Sequence, residues 1–414
     1  MHSLVIFLLL CLSYNALSAP TSKKKGRSFR IERFRRSDYV AHGPTALQKA
    51  YRKYGMLIDF DTPYQSYQTS SMWETETDES GEVSATLVQG GSEYVSPVVI
   101  GGQTFNMDFD TGSSTMWVMN AFTDLPTLDG DSRTVYDPTQ SKTFKSLPFP
   151  SNYFEDAYGD GSYNFGYVGI DTVSIGGVSV TDQYFGLPTE VSSEFEEDTG
   201  SDGLVGLAFD SINSIVPGPQ KTFFDNVESQ LEQPVLTTLL REDGVSEYEF
   251  GKIDHSKYTG TLATVSVDSS RGYWEFDVGN FKAGDVELSN GATSKAIADT
   301  GTTLLLASSD IVSAYYQQVR GSSLSQSANG YVFPCTADLP DLHVTLGDNS
   351  PVTVPGAMLN FSTTSLTPTA GEPVCVGGLQ EGPDGLQVFG DLFLRTLFVV
   401  FDKRGPSLGF ASPK

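Results

Sequence analysis

From Val83 to Phe250 the chain alternates short runs of Val, Thr, Tyr and Phe with clusters of Gly, Asp, Ser and Pro. Tyr94–Ile100 runs into Gly101-Gly102, and Thr172–Ile175 runs through Gly176-Gly177 into Val178–Val180. Apolar positions repeating every second residue between glycine turns predict strands, because successive side chains of a strand point to opposite faces. Helical spacing is confined to two places: Phe223, Phe224, Val227 and Leu231, and Ile311, Val312, Tyr315, Tyr316 and Val319 behind a Ser308 cap. Both read as short surface helices with one face on a core. The expected body is all-β.

Residues 4–12 form an apolar run too short to span a bilayer but suited to a signal peptide, with small residues around Ser18 and Ala19. Secretion is expected, with cleavage near residue 19. Residues 61–82 are polar and rich in Thr, Ser and Glu, as an exposed processing linker would be. No second run is long and apolar enough for a membrane span, and the C-terminus has no hydrophobic tail for a lipid anchor. A length of 414 residues allows two lobes with substantial cores after processing. The expected divisions are a signal peptide at 1–19, a propeptide and linker at 20–80, a first β lobe at 81–270 and a second at 271–414.

Charge sharpens that division. The formal net charge is −25, which argues against nucleic acid or an anionic membrane as partner. Yet residues 20–60 carry eleven basic and three acidic residues, a net +8, while residues 80–414 carry a net −28. A basic arm preceding an acidic body predicts a propeptide lying across an acidic cleft. Of three cysteines, Cys11 leaves with the signal, so Cys335 and Cys375 remain to pair in an oxidising compartment. Closing a loop of that length stabilises by about 4 kcal/mol in the chain-entropy description.

An internal repeat carries the chemistry. Asp110-Thr111-Gly112-Ser113-Ser114 follows the alternating run Phe105–Phe109 and precedes Met116-Trp117-Val118. Asp299-Thr300-Gly301-Thr302-Thr303 follows Ala296-Ile297-Ala298 and precedes Leu304-Leu305-Leu306. Gly206 comes 96 residues after Asp110 in Leu204-Val205-Gly206, and Gly390 comes 91 after Asp299 in Val388-Phe389-Gly390. Two lobes each presenting one Asp on a turn would bring both carboxylates into the cleft between them. A third Asp-Thr-Gly, at Asp198-Thr199-Gly200, follows Glu194, Glu196 and Glu197 instead of an apolar strand and reads as a solvated loop.

Two close carboxylates cannot both ionise cheaply, so the pair shares a proton across acid pH. One can then take a proton from water while the other protonates the carbonyl of a peptide bond. Gly112 and Gly301 are expected to supply backbone freedom at tight turns. Ser113 and Thr302 can hydrogen-bond the adjacent carboxylates, and Thr111 and Thr300 can brace the two turns against each other. No metal and no cofactor is required. His255 and His343 are the only histidines of the body, too few for a zinc site or a cysteine–histidine pair. Gly405-Pro406-Ser407-Leu408-Gly409 has the spacing of a nucleophile elbow, but no histidine follows it.

These motifs resemble the pepsin family of aspartic endopeptidases. The resemblance spans residues 94–411 and adds Tyr158-Gly159-Asp160-Gly161-Ser162 and the closing Leu408-Gly409-Phe410-Ala411. It is nearest the secreted fungal branch, the penicillopepsins and aspergillopepsins, since no cysteine pair follows the first Asp turn. That branch often carries Ala where this chain has Ser114, an equally small residue. The resemblance implies a bilobal all-β fold in which a proton shared by the dyad is a known property. It implies that Tyr158 is a flap tyrosine and that Trp117 hydrogen-bonds it. It also implies that Lys53-Tyr54 of the propeptide meets the aspartates, in an acid-activated precursor.

Tyr158, Leu204 and Phe195 would line a cleft preferring large apolar side chains. Gly159 and Asp160 would form the flap tip, with Asp160 receiving a substrate Lys. The expected partners are protein and peptide substrates and the chain's own propeptide, with the mature enzyme a monomer. The rival reading is a binding protein that keeps the fold without catalysis. Asn360 begins the only Asn-x-Ser/Thr sequon and is a candidate for glycosylation.

Overall fold

The computed structural model describes residues 26–35, 41–54, 56, 94–123, 133–157, 163–192, 195–196, 200–241, 246–289, 294–347, 350–364 and 372–414. The signal segment, the linker 61–82, the hairpin residues Tyr158, Gly159 and Asp160, and Asp198 and Thr199 lie outside them.

One antiparallel sheet ties the chain together. Its strands run in the spatial order Phe29–Arg35, Ser246–Phe250, Val235–Leu239, Phe398–Asp402, Ser407–Pro413 and Tyr258–Asp268. The first of these belongs to the basic arm. It pairs Phe29 with Phe250 and, at its far end, Arg35 with Tyr94, so the arm is built into the sheet. Alternation explains this: Phe29, Ile31 and Arg33 are buried while Arg30 and Glu32 face out.

Each half of the repeat forms the same local unit. In the first, Gln103–Asp110 pairs in parallel with Gly203–Gly206, placing Asp110 beside Gly206. In the second, Lys295–Ala298 pairs in parallel with Gln387–Phe389, and the Asp299 amide donates to Phe389 O at 3.1 Å. The glycines close these units by close approach. A Cβ on Gly206 would overlap the Ser114 backbone, and one on Gly390 would overlap the carbonyls of Thr302 and Leu304.

Around the units run long hairpins such as Tyr163–Ile175 with Val178–Val191. The main core is apolar and continuous, with Trp274, Phe105, Phe109, Phe223, Phe250 and Tyr315 almost wholly buried. Trp274 spans the halves by donating its indole N–H to Leu207 O at 3.0 Å.

Both expected helices form. Phe223–Val227 starts at Thr222 with a full capping box through Asp225. Ser309–Tyr316 starts at Ser308, but that hydroxyl makes no capping bond and has no hydrogen-bond partner. A third helix, Gly43–Lys53, lies in the basic arm and has no Ser, Thr, Asp or Asn cap to announce it. Cys335 and Cys375 form a disulfide, joining strand Val374–Gly377 to the segment after Gly330–Pro334. No described helix is long and apolar enough to cross a membrane.

Candidate active site

The two Asp-Thr-Gly turns meet head to head. The Thr111 amide donates to Thr300 Oγ1 at 3.1 Å, and the Thr300 amide donates to Thr111 Oγ1 at 3.0 Å. Each hydroxyl then donates across the divide, Thr111 to Ala298 O at 2.8 Å and Thr300 to Phe109 O at 2.6 Å. These four bonds between buried groups fix the turns relative to each other, since breaking any one strands a polar group without water. Asp110 and Asp299 are almost entirely buried.

Within each turn the glycine amide donates to its own aspartate, Gly112 to Asp110 Oδ1 at 2.8 Å and Gly301 to Asp299 Oδ1 at 3.0 Å. Neither glycine adopts a left-handed φ, contrary to the expectation that backbone freedom selects them. Space selects them instead, because a Cβ on either would overlap the carboxylate of the opposite turn. The hydroxyls behind the turns differ. Ser113 Oγ donates to Asp110 Oδ2 at 2.5 Å. Thr302 Oγ1 is buried and completes no hydrogen bond of ordinary geometry, yet it lies close enough to Asp299 to help lower that carboxyl's pKa.

The basic arm reaches this centre. Lys53 Nζ lies 2.7 Å from Asp110 Oδ1 and 2.9 Å from Asp299 Oδ1 and Oδ2, and Tyr54 donates its hydroxyl to Asp299 Oδ2 at 2.5 Å. Burial works to raise both carboxyl pKa values. At Asp110 burial prevails over Lys53 and the group rises to about 7. At Asp299 the same burial is outweighed by Lys53 and by hydrogen bonds, and the group is held below the ordinary carboxylate range. The opposite directions belong to one proton shared by a coupled pair. Burial alone would lower the Lys53 ammonium, but the two carboxylates prevail and raise it.

Further along the arm, Arg33 is buried and pairs with Asp391, at 3.0 Å to Oδ2, while donating to Thr300 O at 3.2 Å. Its guanidinium sits 4.3 Å from the Tyr94 ring centroid. The signal for Arg33 was present as a basic residue at an inward position of an alternating strand. Its partner Asp391 gave none. Tyr273 was also missed; its ring lies 6.4 Å from that of Tyr54, and burial raises its hydroxyl pKa.

Trp117 is buried between Gly186 and Leu204, with Phe195 edge-on at 5.3 Å. Leu204 is half-buried in strand Gly203–Gly206. Asn360 is half-buried and donates its side-chain amide to Cys335 O at 3.1 Å. The elbow-like Ser407 lies in strand Ser407–Pro413, not at a strand-to-helix turn.

A mainly β fold whose two halves each bring one aspartate to a shared, buried centre defines an aspartic protease. The model of the eukaryotic aspartyl protease family matches residues 93–413, and the chain is an aspartic endopeptidase belonging to that family. It is 47% identical to a putative aspergillopepsin A-like aspartic endopeptidase of Aspergillus fumigatus, over 100% of both chains. It is 43% identical to penicillopepsin-1 of Penicillium janthinellum, over 80% of this chain and 98% of that protein. Aspergillopepsin-1 of Aspergillus clavatus is 42% identical, over 80% of this chain and 82% of that one.

Proposed function

We propose that the chain is secreted as an acid-activated precursor whose mature form, acting as a monomer, hydrolyses peptide bonds with water activated between Asp110 and Asp299. The observation carrying this reading is the ammonium of Lys53, held 2.7–2.9 Å from both carboxylates. A water molecule at that position, once the arm has left, can hydrogen-bond to both. One carboxylate takes its proton while the other protonates the substrate carbonyl. As the resulting diol collapses, the first gives that proton to the leaving amine nitrogen and the second takes one back from a diol hydroxyl, so the pair carries one proton throughout. Residues 20–80 act as the propeptide, with Lys53 and Tyr54 as the inhibitory pair. Their seat on the dyad excludes substrate from the reacting atoms.

Peptides dock extended, with large apolar residues favoured on both sides of the cut and Leu204 among the lining side chains. Lys is accepted before the cut through Asp160, and Tyr158 closes over the substrate with Trp117 as its anchor. Exchanging Asp110 or Asp299 for Asn tests the chemistry, since it preserves shape and removes the shared proton. Each variant should fold and be secreted at the normal level yet lose peptide hydrolysis by at least roughly a thousandfold. Substantial hydrolysis by either purified variant would reject the dyad.

A further inference from the structure

The helix Gly43–Lys53 positions Lys53 and Tyr54, so whatever governs its first turn governs the latch. Four backbone N–H groups open an α-helix without intrahelical partners. Here the Gly43 N–H donates to Ser362 Oγ at 2.7 Å, and Pro44 has none to offer. The first intrahelical bond runs from the Ala46 N–H to His42 O at 3.0 Å, so the open groups are those of His42, Gly43, Pro44 and Thr45. The Thr45 N–H donates to His42 Nδ1 at 3.3 Å, and the Thr45 hydroxyl approaches that same nitrogen at 2.6 Å. The N-cap is thus an imidazole, at a position usually held by Ser, Thr, Asp or Asn. The oxygens of those side chains keep a lone pair to accept with whatever the pH, whereas an imidazole nitrogen accepts only while unprotonated.

We propose that His42 is the pH sensor of the precursor: its neutral ring caps the helix that seats Lys53 and Tyr54 on the dyad, and its protonation uncaps that helix. The inference rests on the reading of residues 20–80 as a propeptide and names what regulates it. On protonation Nδ1 becomes a donor. The Thr45 hydroxyl can reverse and accept from it, but the Thr45 N–H cannot. A cation then sits at the positive end of the helix dipole, which opposes the helix further.

Strands Asn360–Thr363 and Val374–Gly377 pack against this helix without a titratable side chain, Cys375 being in the disulfide. Its apolar face also packs on Ile297, Leu304, Leu306, Val388 and Leu392, a side where Glu381 is the carboxylate that acts on the helix. On the helix itself Lys49, Arg52 and Lys53 are basic, and Tyr51 stays neutral because burial, and after it Glu381, raises its hydroxyl pKa. Burial alone moves the ring, lowering its pKa from 6.5. The docked arm therefore binds fewer protons than the released arm. The cap's contribution is complete above 6.5 and is lost as pH falls through the lowered value.

The far end of the helix responds differently. Protonating Asp110, at about 7, leaves Lys53 still 2.9 Å from both oxygens of Asp299, which is held below the carboxylate range. Loss of the cap in mild acid loosens the N-terminal end of the helix while Lys53 remains paired with Asp299.

The test follows conversion of the purified full-length precursor, and of its His42→Asn and His42→Ala variants, from pH 4 to 7.5 by intact mass. Hydrolysis of a quenched fluorescent peptide by the still-uncleaved chain is recorded alongside. Asn keeps a cap acceptor at all pH, so H42N should convert roughly five- to tenfold more slowly than wild type near pH 5 and at a similar rate at pH 7. H42A should convert faster than wild type at pH 7 by a similar factor. The mature enzymes should be indistinguishable. Equal pH profiles for wild type, H42N and H42A would overturn the sensor while leaving a latent precursor intact. Hydrolysis of the peptide by uncleaved wild-type precursor at the mature rate would instead overturn the propeptide reading itself.

Discussion

A Cβ placed on Gly112 would stand 2.5 Å from Asp299 Oδ1, and one on Gly301 would overlap Asp110 in the same way. Each turn therefore leaves a space that the other turn's carboxylate fills. Gly112→Ala and Gly301→Ala should each push the opposing carboxylate out of line while leaving the distant core untouched. A displacement of this size at reacting atoms costs roughly a hundredfold in kcat. Steady-state kinetics on a matched peptide, with circular dichroism to verify folding, measures it. Retention of more than half the wild-type kcat would show that the dyad tolerates the intrusion.

The Arg33–Asp391 pair joins the arm to the body in a buried setting. Removing one member of a buried pair strands the other charge, at a cost of about 3–5 kcal/mol. Arg33→Ala should lower the stability of the full chain by that order in urea titrations, carried out on the Asp110→Asn background so that the proposed self-cleavage does not interfere. Arg33→Met in combination with Asp391→Leu should recover much of the loss, because the site would become apolar and filled. Unchanged stability in the Ala variant would assign the sheet pairing alone the role of holding the arm.

Asp156 lies in strand Tyr153–Ala157, where burial raises its carboxyl to about 6 against hydrogen bonds from Ser214 and Thr115 that lower it. The folded chain holds this proton more tightly than the unfolded one. The resulting stability is complete below 3.8 and is lost as pH rises through about 6. Asp156→Asn, again on the inactive background, should therefore gain on its parent as pH rises through that window and show a constant difference above it. Thermal midpoints measured at intervals of half a pH unit give the curve. Parallel curves for the two proteins would exclude ionisation of Asp156 as a contributor.

If Asp160 receives the ammonium of a substrate Lys, Asp160→Thr should reduce kcat/KM for cleavage after Lys by a factor worth roughly 1.5–3 kcal/mol, the range for hydrogen bonds to charged groups. Cleavage after Phe or Leu should fall far less. Equal losses on matched Lys and Phe peptides would mean that Asp160 shapes the flap and does not read the substrate.

The sequence by itself determined the strand-rich body, the duplicated Asp-Thr-Gly units and the disulfide pair. Each is written in local periodicity, in a repeat or in the cysteine count, which do not depend on where distant residues lie. It also held Lys53-Tyr54, through resemblance and a charge asymmetry that points the arm toward the acidic body. Tertiary structure decided the rest. Arg33 carried half a signal in its inward position, but Asp391 lies 358 residues away and only the folded sheet brings the two together. Gly112 and Gly301 look like turn glycines from sequence, and only the meeting of two turns shows that space, not backbone angle, selects them. The helix Gly43–Lys53 escaped notice because its cap is His42, whose fitness as an acceptor depends on protonation and burial, and neither can be read from the order of residues.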